Sequence, residues 1–215
     1  YRNLHEIVGK FRIVPLNFGT YAGKKVFDYE EVCVQTKDLP FTDYKYLRGV
    51  SLLVETLHNG RPFEELFRYA LSMGTHRSDF LFELYESLSQ APKSIQDIVE
   101  NFLYETENEL WDNEEQLLDF YREDENYLKL ANGDAGGNLI QKYKSLGLST
   151  AADDWAQFIV SICLKKALNL FGEGVIFDEA KAEVEALEKF SRLKLDGLLS
   201  PDGNTKTNIL ETHWD

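Results

Sequence analysis

The chain has 215 residues, of which 43% are apolar, 13% aromatic and 28% charged, a composition that excludes intrinsic disorder and suffices for one large domain or two small ones. Acidic residues outnumber basic ones 37 to 23, and the resulting formal charge of −14 argues against nucleic acid as a partner, because displacing phosphate counterions takes cations. The longest largely apolar run, FIVSICL from Phe158 to Leu164, falls far short of the roughly 20 residues a membrane-spanning helix needs, so no membrane partner is expected.

The first 38 residues carry strand signals. FRIVPLNFGT is rich in β-branched and aromatic residues, and in VFDYEEVCVQT Val32 and Val34 alternate with polar neighbours. Between them Ala22 and Gly23 mark a hairpin break, and Pro15, which cannot donate to a ladder, marks an edge. After Pro40 the apolar period changes from two to about 3.6 and stays there almost to the end.

Thr42 is placed to cap a first helix with the inner stripe Leu47, Val50, Val54 and Leu57, stopped by Asn59, Gly60 and Pro62. Phe63, Leu66, Phe67, Ala70 and Leu71 make a second stripe ending at Gly74. Ser78 opens a third, with Phe80, Leu81, Leu84, Tyr85 and Leu88, closed before Pro92. Ser94 with Asp97 reads as a capping box before Ile95, Ile98, Val99, Phe102 and Leu103. Asn113 with Gln116 starts the next, carrying Leu117, Leu118 and Tyr121 inward. NGDAGGN, from Asn132 to Asn138, breaks the pattern, and Leu139, Ile140 and Tyr143 resume it until Gly147. Thr150 with Asp153 begins the longest candidate, with Trp155, Phe158, Ile159, Ile162 and Leu170 on one face and Gly172 beyond its end. Asp178 caps a last helix through Val184 and Leu187. The expected fold is thus mainly α, a multi-helix bundle of eight helices with a short N-terminal β-hairpin element. The expected organisation is a β-rich segment over 1–40, a helical domain over 41–197 and an irregular tail over 198–215 holding the turn signal SPDGN.

Charge is unevenly spread. Between Glu100 and Glu125 there are eleven acidic residues and one base, Arg122. This window is either a pair of solvated helix faces or a docking face for a basic partner. One such partner is internal, since Tyr1 to Lys25 holds Arg2, Lys10, Arg12, Lys24 and Lys25 against Glu6 alone.

Reactive chemistry is sparse. Cys33 and Cys163 lie far apart with no CxxC or zinc-knuckle spacing and read as two buried thiols in a reducing cytoplasm, with a single disulfide as the alternative. Glu55 and His58 form one Glu-x-x-His, which sets a carboxylate and an imidazole one turn apart, but di-iron bundles need the motif twice. A helix-terminal surface histidine is the simpler account, and no metal residue is assigned. Gly147, Leu148 and Ser149 begin like a nucleophile elbow but lack its fifth position and preceding strand, and capping at Ser149 or Thr150 explains them better. Gly172 and Gly174 lack the third glycine of a dinucleotide loop and suit a helix C-cap. The glycines around Asp134 read as a loop before an anion-binding nest.

The string from Phe11 to Leu57, ending in YEEVCVQTKDLPFTDYKYLRGVSLLVETL and continuing HNGRPF, resembles the region that follows the catalytic barrel in cobalamin-binding radical SAM proteins. GGNLIQKY, from Gly136 to Tyr143, is similar to a later part of the same C-terminal region, and the resemblance extends from Tyr1 to about Lys166. It implies a parent enzyme with a cobalamin-binding domain and a barrel whose CxxxCxxC motif holds a 4Fe–4S cluster that cleaves S-adenosylmethionine. With only Cys33 and Cys163, this chain cannot supply the three cluster cysteines, so no catalytic, cofactor-binding or metal residue carries over and no cofactor is expected in it. The chain opens on Tyr1 and its one methionine is Met73, which suits a segment of something longer. The expectation is therefore a non-catalytic, cytoplasmic accessory domain whose partner is the upstream barrel of the same polypeptide. The alternatives are a stand-alone acidic helical interaction module using residues 100–125, and a metal-dependent helical enzyme using Glu55 and His58.

Overall fold

A computed structural model describes residues 1–199, so the SPDGN turn and the rest of the expected tail lie outside the described residues. The chain is mainly α with a two-stranded antiparallel hairpin at its start. Its order is α1 (Arg2–His5), β1 (Val8–Tyr21), β2 (Lys24–Gln35), α2 (Phe41–Leu53), a π-helical turn (Val54–His58), α3 (Glu64–Ser72), α4 (Arg77–Glu86), a 3-10 turn (Leu88–Gln90), α5 (Lys93–Asn108), α6 (Glu114–Arg122), α7 (Asp124–Ala131), α8 (Leu139–Thr150), α9 (Ala152–Phe171) and α10 (Val175–Leu199). Ten helices replace the eight expected among the described residues. The additions are α1, which buries nothing, and α7, which buries only Leu130, so neither carries an apolar stripe to read.

The described residues form two compact units. One comprises residues Tyr1–Gly49 and Glu100–Tyr143, the other Val50–Val99 and the chain from Lys144 onward. The hairpin, which the sequence pattern set apart as 1–40, is thus grouped with residues 100–143. In this unit Tyr21 pairs with Lys24 around Ala22 and Gly23, both at positive φ (49° and 76°), the two-residue turn expected. Farther along, Ile13 pairs with Tyr29 and Phe18 with Phe27, so Val14 to Asn17 stand opposite Asp28 alone in a wide bulge. Pro15 sits in that bulge, where its missing N–H breaks no ladder bond. Leu16 there takes a left-handed φ of 64° and donates its N–H to the Gly136 carbonyl at 3.1 Å. Gly136 itself has φ 64°, and a Cβ on it would come 2.5 Å from Leu130 Cδ2, so this loop position needs glycine.

In the second unit α9 is the central element: Trp155, Phe158, Ile159, Ile162 and Cys163 are buried on it, and α3 and α10 pack against it. Leu66, Phe67 and Phe80 complete the core, the last two edge-to-face at 5.2 Å. The Tyr69 hydroxyl donates to the Ala180 carbonyl at 3.1 Å, tying α3 to α10.

Several local readings change. The longest helix is α10 with 25 residues, not the segment around Trp155 with 20. Leu170, expected inward, is 57% exposed near the end of α9, and Leu47 is exposed on α2. Asn113 does cap α6, accepting from Glu115 N (2.8 Å) and Gln116 N (3.2 Å). Ser94 does not cap α5: the helix begins at Lys93, the serine hydroxyl donates to Asp154, and Asp97 pairs with Lys93 at 2.7 Å. Likewise Thr150 ends α8 by donating to the Leu146 carbonyl (2.7 Å), and α9 starts after it without a side-chain cap. In each case a tertiary or same-helix acceptor outcompetes the local N–H.

Candidate functional site

The richest side-chain chemistry in the first unit lies where the hairpin meets the acidic segment. After α5 ends, Glu109 to Asp112 run extended beside β1, and Phe11 and Trp111 exchange both backbone bonds (2.7 and 2.8 Å). That pairing fixes Arg12 beside Glu109. The guanidinium donates through Nη1 to Glu109 at 2.7 Å and through Nε to Glu30 at 2.8 Å, with Arg12 and Glu109 side chains 20% and 19% exposed. Burial opposes the arginine's charge, but Glu109 and Glu30 outweigh it and hold the group above its usual pKa. On Glu109 burial wins over the nearby cation and pushes the carboxyl above its usual range. Burial also raises the Tyr44 hydroxyl, against the charges of Arg48 and Arg12.

Other cations of the first unit meet the same acidic window. Lys10 pairs with Asp112, Lys25 with Asp124 at 2.7 Å, Lys45 with Glu107 at 3.0 Å and Lys142 with Glu105 at 2.7 Å. Tyr29 donates to Glu114, which raises its phenol pKa. Tyr127 joins the contact edge-on to Phe18 and Phe27, with Lys25 over its ring at 5.0 Å. The internal partner suggested by the basic start of the chain therefore accounts for Lys10, Arg12 and Lys25, whereas Arg2 pairs with Glu31 of β2 instead. Each exposed pair contributes about 0–1 kcal/mol, while the Arg12–Glu109 pair is mostly out of water. Chemically the arrangement clamps a strand. Its carboxylates accept from cations and hydroxyls of the same unit.

The remaining candidates fall elsewhere, on separate partners. Glu55 and His58 both lie in the π-helical turn of the second unit. Glu55 accepts from Asn59 Nδ2 at 2.6 Å and from Lys144 Nζ at 3.4 Å, while His58 Nδ1 is 3.3 Å from Arg77 Nη1. Arg77 in turn grips Glu64 through two nitrogens, at 2.9 and 3.1 Å, and this holds the Glu64 carboxyl below its usual range. Among the described residues no group of three or more His, Cys, Asp or Glu is placed to hold a metal ion. Cys33 is exposed on β2, which corrects the expectation of two buried thiols; Cys163 is buried, and burial pushes its thiol up to about 12. The two belong to different units, and both are free. Neither fits a cluster-ligand set. Ser149 donates to Leu146 of its own helix at 3.3 Å, so it does not cap the next, and Gly172 ends α9 with its N–H on Leu168 O at 2.9 Å, as a C-cap does. Around Asp134, the amides of residues 132 to 135 donate back to carbonyls of α7, at 2.8 to 3.1 Å, and are not turned to an anion.

Sequence reasoning did not single out Glu109, Trp111 or Tyr29. The complementary charge of the two segments was the available signal, and it named the segments without naming the pairs. No helix among the described residues is long and apolar enough to cross a membrane. No family model, curated protein or solved structure matches the chain.

Proposed function

We propose that this chain is a non-catalytic accessory domain of a cobalamin-binding radical SAM enzyme, cytoplasmic, partnering the upstream barrel of the same polypeptide and helping to cover it or shape substrate access. The barrel and the domain before it would supply the 4Fe–4S cluster, S-adenosylmethionine and cobalamin. The observation that carries the reading is that the two separated stretches of the resemblance meet in one unit: Leu16, within Phe11 to Gly49, donates its N–H to the carbonyl of Gly136, the first residue of GGNLIQKY, at 3.1 Å. Residues some 120 positions apart in sequence thus belong to one packed element, as a shared ancestral domain requires. The pairing of Glu107, Glu109, Asp112 and Asp124 with cations of their own unit weighs against the stand-alone acidic interaction module.

Reading the coding sequence upstream of Tyr1 tests the proposal. A CxxxCxxC motif within a barrel-sized stretch is the expected result, and a start codon close to Tyr1 would overturn it. At the protein level, deleting residues 41–197 from the longer product is expected to leave its iron–sulfur absorbance in place while turnover falls.

A further inference from the structure

The strand β2 is 12 residues long and has a neighbouring strand on one side only. The direction of its remaining backbone groups follows from Phe11, whose N–H and C=O both bond Trp111 and so point away from β2. Residues directly opposite in an antiparallel ladder share that orientation, so Glu31, opposite Phe11, turns its own N–H and C=O away from β1. Alternation along the strand extends this to Lys25, Phe27, Tyr29 and Cys33. The two-residue turn gives the same parity independently, because Tyr21 and Lys24 close it as a hydrogen-bonded pair and leave Lys25 facing outward. None of these outward groups has a backbone partner outside the hairpin among the described residues.

We propose that the chain self-associates through this edge, with β2 pairing antiparallel to β2 of a second copy in the register centred on Phe27. An unpaired row of N–H and C=O groups templates another strand. The order of charges along Lys24, Lys25, Val26, Phe27, Asp28, Tyr29, Glu30 and Glu31 selects a second copy as that strand. Outward-facing residues must meet outward-facing ones, so the two-fold axis falls on a residue and not between two. Centred on Phe27, the pairing sets Lys24 opposite Glu30 of the second copy twice, Lys25 opposite Tyr29 twice, and the two Phe27 rings together on the axis. Centred on Asp28 it would oppose two aspartates, on Tyr29 it would oppose Asp28 to Glu30, and on Glu30 two glutamates; such like-charge pairs are unfavourable. Centred on Val26 it would engage only the strand from Lys24 to Asp28. The groups needed are accessible: Lys24, Val26 and Asp28 are exposed, Lys24 and Asp28 make no ion pair among the described residues, and Arg12 engages only Oε1 of Glu30, whose side chain is 43% exposed. The inference does not rest on the accessory-domain reading, since it uses only the edge of β2.

Analytical ultracentrifugation of the whole chain over a concentration series tests the association. A reversible dimer is expected, with Lys24→Glu raising its dissociation constant about tenfold, since it sets two like-charge pairs where two opposite ones stood. The register is tested in a Cys33→Ser background with Val26→Cys and Asp28→Cys. These two positions face each other as a non-hydrogen-bonded pair, whose close approach permits a disulfide. Mild oxidation of an equal mixture of the two variants is expected to give cross-linked dimer, and of either variant alone little. Circular dichroism matching the parent shows that the variants are folded. A monomer at every concentration, a dimer indifferent to Lys24→Glu, or cross-linking as strong within a single variant as in the mixture would overturn the proposal.

Discussion

Replacing Arg12 with methionine keeps most of the side-chain volume and removes the cation from between Glu109 and Glu30. Arg12 and Glu109 are each about four-fifths buried by side chain, and breaking a fully buried pair costs about 3–5 kcal/mol, whereas an exposed one is worth about 0–1. Glu30, 43% exposed, can turn to water, but Glu109 cannot. The expected loss in the first unit is therefore about 2–3 kcal/mol at neutral pH. Its pH dependence carries the sign. Burial already holds the Glu109 carboxyl above the usual glutamate value, and without Arg12 it rises further, so the folded variant takes up a proton that the unfolded chain does not. The deficit should be full near pH 7 and shrink as pH falls toward the usual glutamate value of about 4.3, where a neutral Glu109 no longer needs a cation. Because the chain forms two units, a single melting transition would mix them. Native-state hydrogen exchange at Phe11, Ile13 and Trp111 reads the first unit alone. The double variant Arg12→Met with Glu109→Leu should recover most of the loss, since no buried charge is then left unpaired. A loss under about 0.5 kcal/mol at pH 7, or one that grows as pH falls, would refute the assignment of Arg12 as the cation that holds Glu109.

Three further outcomes are expected. Gly136→Ala should destabilise the first unit by about 1–3 kcal/mol in urea titration followed by exchange at Leu16, because it combines a left-handed φ with a Cβ 2.5 Å from Leu130. Arg77→Met should act in the second unit with the opposite pH sense: Arg77 holds the Glu64 carboxyl below its usual value, so the stabilisation is present at neutral pH and lost as pH falls through the carboxylate range, and the two proteins should converge in thermal stability at acid pH. Phe80→Ala should cost about 3–5 kcal/mol, read by exchange within α4, since the ring is fully buried against Phe67.

The protection of the hairpin separates the two levels of reasoning. From sequence alone, residues 12–36 are expected to exchange early, because a two-stranded hairpin is marginal without something to pack on. The structure supplies that support through Trp111 on Phe11, Gly136 on Leu16 and the rings of Tyr121 and Tyr127 on Phe27, so the amides that bond across the hairpin should be protected in this chain by itself. Nothing local to residues 12–36 announces those anchors, which come from positions about a hundred residues away.

What the sequence by itself determined is the local grammar. The switch of period near Pro40 separates hairpin from helices, Ala22 and Gly23 make the turn, Asn113 caps α6 and Gly172 ends α9, because each depends on the φ/ψ preference or hydrogen-bond reach of residues a few positions apart. The imbalance of charge between the basic start and the acidic window was equally legible, since it needs only counting. Which cation meets which carboxylate was decided by tertiary structure: Arg12 and Glu109 are separated by 97 positions, and only the Phe11–Trp111 bridge brings them to 2.7 Å. The same holds for Ser94, turned from its own helix end to Asp154, for Cys33, left exposed by the strand it lies on, and for Glu55 and His58, one turn apart yet bound to different neighbours. A side chain with several acceptors of similar strength within reach takes the one the packed backbone presents, and the packing of distant segments decides which that is.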